Sequence, residues 1–324
     1  MKKGFHIYIA SCTSDGGIYH YFCRDGQLQF RGKTAADRPM YLIVEDDMLY
    51  AVLRQPYADS ENSGICHWKI REDGALTQQS WIISTGGRCG CHLAVAKNRV
   101  YAANYLSGSV VMLPEGKLVV HQGAGPRTVR QEAAHTHFVG MTPDERYLLA
   151  VDLGTDSIYM YTPELAFVDA VAMPAGHGCR HLAWSQDGKY AFCVNELAST
   201  VSTLRYAQGK LTLLDTVSAL PENCKDENTA AAIRVEGSWV YVSNRGCDQI
   251  AVFQQKDGVL SKPVFVDAQG NSPRDIYLYD NLLFCANEGS HCVSVFDCTD
   301  GQLRFQNLRF QIPKPLSIAI KAES

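Results

Sequence analysis

The stretch RHLAWSQDGKYAFCVNE (180–196) opens on a guanidinium, Arg180, and closes on a carboxylate, Glu196. Two apolar runs flank the turn sequence Ser185-Gln186-Asp187-Gly188, so the stretch reads as a β-hairpin. A hairpin returns its ends to one edge, which brings these two charges together. Other segments offer the same kinds of group: His135, His137, His181, Arg245 and Arg274. Guanidinium groups grip carboxylate or phosphate through paired hydrogen bonds. A site of these residues would hold a small anionic ligand. Arg180 and Arg274 have a second use open to them, as ion pairs tying neighbouring elements together. His181 has one too, as a satisfied strand histidine.

Two clusters bear on metal binding. His135 and His137 stand at i and i+2, on one face of a regular strand. Cys89-Gly90-Cys91-His92 brings three more donor side chains close together. Neither has further ligands at a spacing that completes a zinc site, so no metal and no cofactor is expected.

The elements that position these residues repeat along the chain. A first apolar strand appears as PMYLIV (39–44), CHLAVA (91–96), THFVGM (136–141), RHLAWS (180–185), AAIRVE (231–236), RDIYLY (274–279) and PLSIAI (315–320). A polar turn follows, then a second apolar strand, a polar tip and a third strand. Second strands end at Asn104, Asp152, Asn195, Asn244 and Asn287, spaced 43 to 49 residues apart. That period is one four-stranded propeller blade. PLSIAI is a first strand with nothing after it, and HIYIASCTSDGGIYHYFC (6–23) is a second and third strand with no first. Joined, they make a seventh blade. The expectation is an all-β, seven-bladed β-propeller, one domain over 1–324, closed by pairing of its terminal strands. First strands line the channel, so the Arg, His and Glu residues above gather at its mouth.

Composition narrows the partners. The net charge is −4, without the basic footprint of a nucleic-acid binder. No run of 18 apolar residues is present, so no membrane partner is expected, and the N-terminus has no apolar signal core. Most of the twelve cysteines sit in apolar runs, as in AFCVN and LFCAN, and read as buried reduced thiols of a cytoplasmic protein. The oligomeric state is left open.

GCRHLAWSQDGKYAFCVNELASTV (178–201) resembles the motif of the 6-phosphogluconolactonase-type lactonases, a family of seven-bladed propellers. AHTHFVGMTPDERYLLAVDLGTDSIYMY (134–161), AAIRVEGSWVYVSNRGCDQIAVF (231–253) and SPRDIYLYDNLLFCANEGSHCVSVF (272–296) resemble three further blades of it. The family includes carboxymuconate-lactonizing enzymes. Cys89-Gly90-Cys91-His92 and the 54–64 loop depart from its pattern. The resemblance implies a site at His137, Arg180, Glu196 and Arg245, with Arg274 added. It implies hydrolysis of a sugar lactone, above all 6-phosphogluconolactone, and a place in the pentose phosphate pathway. In that reading Glu196, or alternatively His137, activates water, and Arg180 and His137 stabilise the oxyanion. Arg245 and Arg274 hold the anionic tail, and His135 and His181 complete the binding set. No Gly-x-Ser-x-Gly elbow is present, so no acyl-enzyme is expected. A lactone-forming cycloisomerase and a non-catalytic binding propeller are the alternatives.

Overall fold

A computed structural model describes residues 4–54, 61–77, 82–224 and 227–323. Most of the 54–64 loop therefore lies outside the described residues. All regular structure in the described residues is β, in seven sheets arranged as blades. Six are four-stranded, and the sixth blade of the chain carries an extra short strand. The inner strands are Pro39–Glu45, Gly90–Ala96, Thr136–Met141, Cys179–Trp184, Thr229–Glu236, Pro273–Tyr279 and Pro315–Ala322. The last pairs with the N-terminal strand Phe5–Ser11, from Phe5 opposite Ala322 to Ile9 opposite Ile318. This pairing closes the ring.

Each blade lies between two others, so its second strand is covered on both faces and reads as a continuous apolar run. Leu148–Asp152 is buried at every position, and Tyr190–Asn195 at all but its first. The apolar core is accordingly a ring of interblade contacts. Phe5, Ile7 and Ile9 pack on Phe284 and Val293, while Phe192 and Val194 pack on Ile233 and Val242. Outer strands such as Phe167–Ala172 and Gln302–Gln311 face solvent and alternate in burial.

Polar residues at the ends of several second strands tie blades together. Asn104, Asn244 and Asn287 donate from Nδ2 to Thr85 O, Ala219 O and Ala268 O, each just past the preceding blade's outer strand. In the fourth blade the end residue is Asp152, an acceptor, and the matching partner is a donor, His121 Nδ1, at 2.7 Å. Asp152 also accepts from Thr136 Oγ1 at 3.0 Å, His135 N at 2.8 Å and Thr155 N at 3.0 Å. Burial works against its charge, but these bonds hold its carboxyl below the usual range. Asp152→Ala strands all these buried donors and is expected to lower unfolding free energy by about 3–5 kcal/mol. Urea denaturation checks this, with Asp152→Asn expected to lose less because one oxygen remains.

One cysteine expectation is corrected. Cys224 and Cys247 form a disulfide, with Cα atoms 6.1 Å apart. Both lie on connections outside the apolar strands, where the argument from buried runs does not reach. The other ten are free thiols, eight of them buried.

Candidate active site

Every inner strand breaks register with its neighbour near the same end. The shift falls at Met40, Cys91, His137, Arg180, Ala231-Ala232, Arg274 and Leu316. Such a β-bulge leaves one residue unpaired and re-aims its side chain. Four of these residues, Met40, Cys91, His137 and Arg274, line a cavity of about 280 Å³ at the channel mouth. Arg180 and Leu316 line a smaller space below. The bulge also explains why His135 and His137 part company. They would share a face of a regular strand, but the shift at His137 turns it to the channel. His135 stacks behind Tyr105 at 4.5 Å and contacts Tyr105 O and Glu132 Oε1.

A second ring sits above the first. It is made by the residue following each second-strand end: Arg54, Tyr105, Leu153, Glu196, Glu288 and, in the closing blade, Cys12. Their backbone N–H groups donate to the residue before each inner strand or at its start, as in Glu196 N to Gly178 O at 2.7 Å. Arg245 holds the same place in the sixth blade.

The two rings meet at Glu196, which is 3 % exposed. Its Oε2 takes Arg180 Nε at 2.8 Å and Arg245 Nη2 at 3.2 Å. Its Oε1 takes Arg130 Nη2 at 2.5 Å. Burial acts to raise its pKa, but Arg245, Arg180, His137 and Arg130 outweigh that and hold the carboxyl far below the usual range. Arg180 is also buried and donates Nη1 to Ala231 O at 2.6 Å. Burial, with Arg245 and Arg274 nearby, opposes its charge, and Glu196 sustains it. Arg274 pairs with Glu288 at 3.3 Å, and Arg245 also donates to Thr229 O and Ala230 O. Around the mouth five arginines meet two glutamates, so positive charge is in surplus.

Beneath lies a histidine column. The His181 ring is 5.1 Å from His137 and 5.0 Å from His92, and all three are buried. Burial and the Arg180 guanidinium push the pKa of His137 and His181 well below its ordinary value; burial, then Arg234, do so for His92. All three are neutral at neutral pH. His137 Nδ1 and His181 Nε2 have no hydrogen-bond partner among the described residues.

The structure thus gathers His137, Arg245, Arg274 and Glu196 at the cavity, with Arg180 directly behind. His181 lies deeper, and His135 stands outside the lining. Sequence reasoning missed Arg130 and Tyr105, both cavity-lining, and weighed Cys89 and Cys91, which also line the cavity, only as metal donors. Tyr105 was open to discovery, since it follows Asn104 as Glu196 follows Asn195. Arg130 was not, because its segment between Val120 and Thr136 holds no strand and has no counterpart in the repeat.

A family model described as Lactonase, 7-bladed beta-propeller matches residues 6–320. An uncharacterised protein of Staphylococcus saprophyticus is 32% identical over 280 residues, 79% of each chain. Among solved structures, a Lactobacillus plantarum protein shares 29% identity at a TM-score of 0.89, over 99% of this chain and 100% of that one. A Bacteroides fragilis protein proposed to be a 6-phosphogluconolactonase shares 26% identity at a TM-score of 0.90, over 99% of this chain and 98% of that one.

Proposed function

This chain belongs to the lactonase family of seven-bladed β-propellers, and from that premise we propose that it hydrolyses a small anionic lactone, 6-phosphogluconolactone foremost. The observation that carries the proposal is a buried neutral imidazole, His137, in a cavity of about 280 Å³ rimmed by arginines. The relation to the Bacteroides fragilis protein supports the choice of lactone.

Both candidate bases can be weighed. A carboxylate held far below its ordinary range by three guanidinium groups is a poor proton acceptor. His137, a neutral imidazole that lines the cavity and makes no ion pair among the described residues, is the better one. In the proposed reaction His137 takes a proton from water as the water oxygen bonds to the lactone carbonyl carbon. The tetrahedral oxyanion forms in the positive field of the buried Arg180 guanidinium directly behind the cavity lining, which favours it. It then collapses, the ring C–O bond breaks, and the leaving oxygen recovers the proton from His137. Arg274 and Arg245 hold the phosphate or carboxylate tail, and Glu196 fixes the arginines.

A cytoplasmic location belongs to the same proposal. Ten free thiols support it and the Cys224–Cys247 bond counts against it. Among the described residues no helix is long and apolar enough to cross a membrane.

Hydrolysis of freshly made 6-phosphoglucono-δ-lactone, read above its spontaneous opening and beside unphosphorylated gluconolactone, tests the reading. His137→Gln is expected to lower kcat by about 10²–10⁴ with little change in KM. No turnover of either lactone by the wild-type protein would sink the proposal and favour lactone-forming cyclisation or a binding role.

A further inference from the structure

Three arginines meet Glu196, and they differ in kind. The side chains of Arg180 and Arg245 are 3 % and 14 % exposed, and both sit on Oε2. Arg130 is 43 % exposed and sits alone on Oε1. Among the described residues its hydrogen bonds to Glu196 and to Tyr105 Oη both run through Nη2, which leaves Nε and Nη1 for another acceptor. Glu196 keeps two guanidinium partners when Arg130 departs.

The backbone points the same way. Arg130 has φ +130°, a region that only glycine enters without strain. A rigid frame imposes it. Gln131 is fully buried and donates Nε2 to Leu153 O at 2.8 Å and N to Arg127 O at 2.9 Å. Arg130 N donates to Glu132 Oε2 at 3.0 Å, and Arg127 Nε anchors the loop to Gly176 O at 2.7 Å. Gly154 lets the fourth blade press close beneath, since a Cβ there would fall 1.9 Å from Ala133 O. The frame aims Arg130 back over the mouth, toward the cavity that Arg54, Arg245 and Arg274 also line.

We propose that Arg130 is the ligand-responsive arginine of this site, turning from Glu196 onto the anionic group of a small bound acid, a phosphate monoester or a carboxylate. It sets specificity for charged over neutral ligands. The inference rests on the anion-binding part of the function proposed above.

Arg130→Gly tests it, because glycine relieves the strained backbone while removing the guanidinium. Calorimetric titration with 6-phosphogluconate and with gluconate gives the readout. The wild-type protein is expected to bind 6-phosphogluconate, and the variant to bind it about 10- to 100-fold more weakly. The variant's thermal midpoint is expected to equal or exceed that of the wild type. A loss confined to 6-phosphogluconate assigns the phosphate to Arg130, and an equal loss with gluconate assigns the carboxylate. Unchanged affinity in the variant, or no binding by the wild type, overturns the inference. Lactone turnover measured in parallel separates the two proposals. Arg130-dependent binding without turnover removes the hydrolase and keeps this role, while turnover with a variant that binds normally does the reverse.

Discussion

Glu196→Ala is expected to destabilise the protein by about 3–5 kcal/mol and to abolish most activity at once. Its two oxygens hold three guanidinium groups, and Arg180 is 2 % exposed. Without the carboxylate Arg180 keeps one acceptor, Ala231 O, and faces the like charges of Arg245 and Arg274. Removing one partner of a buried pair leaves an uncompensated charge, and that is the expensive event. The urea midpoint should fall, with kcat/KM lower by at least about two orders of magnitude because the arginines lose their positions. Arg180→Met in the same chain should recover part of the stability and none of the activity, the signature of coupling between the two residues. Glu196→Gln separates framework from base. A framework role predicts that stability and activity fall together, since the amide brings donors against guanidinium. Full stability with activity lost would return the base role to Glu196.

The blade repeat was legible because the second strands are covered on both faces. Leu148–Asp152 and Leu282–Asn287 carry apolar side chains at nearly every position, and the spacing of their ends gave the blade. The closing pair was legible because PLSIAI lacked a following strand. The meeting of Arg180 with Glu196 followed from hairpin geometry alone. The bulges were less open to reading. Alternation places His135 and His137 on one face, and only the register shift at His137 sends them apart. Arg130 lies in an insertion with no repeat to align it, and Cys224 and Cys247 lie on connections where burial patterns say nothing. The role of Glu196 depended on counting its cationic neighbours, and one of these, Arg130, comes from that insertion.

Acid should unfold this protein earlier than its carboxylates alone would. Burial and then neighbouring cations push His92, His137 and His181 well below 6.5, and burial, His6 and Arg31 bring His20 to about 4. Each is neutral in the folded chain and titrates near 6.5 when unfolded. The unfolded state therefore binds more protons below that value, and stability falls as pH falls. The loss is about 1.4 kcal/mol per pH unit for each group, starting near 6.5 and continuing down to its folded pKa. The four groups therefore act in the same direction, each withdrawing stability as pH falls below 6.5. Glu196 and Asp152 have lowered folded pKa values, so their contributions persist above the ordinary carboxylate range and are lost only below it. Urea midpoints at pH 8, 7, 6 and 5.5 should decline steeply over the last two points, and His181→Phe should flatten the decline by about one group's share. Equal midpoints at pH 7 and 5.5 would refute the histidine account. Because His137 stays neutral in the folded chain, turnover per folded molecule should hold steady over this range. The acid limb of the activity profile would then follow the population of folded protein and not the titration of the base.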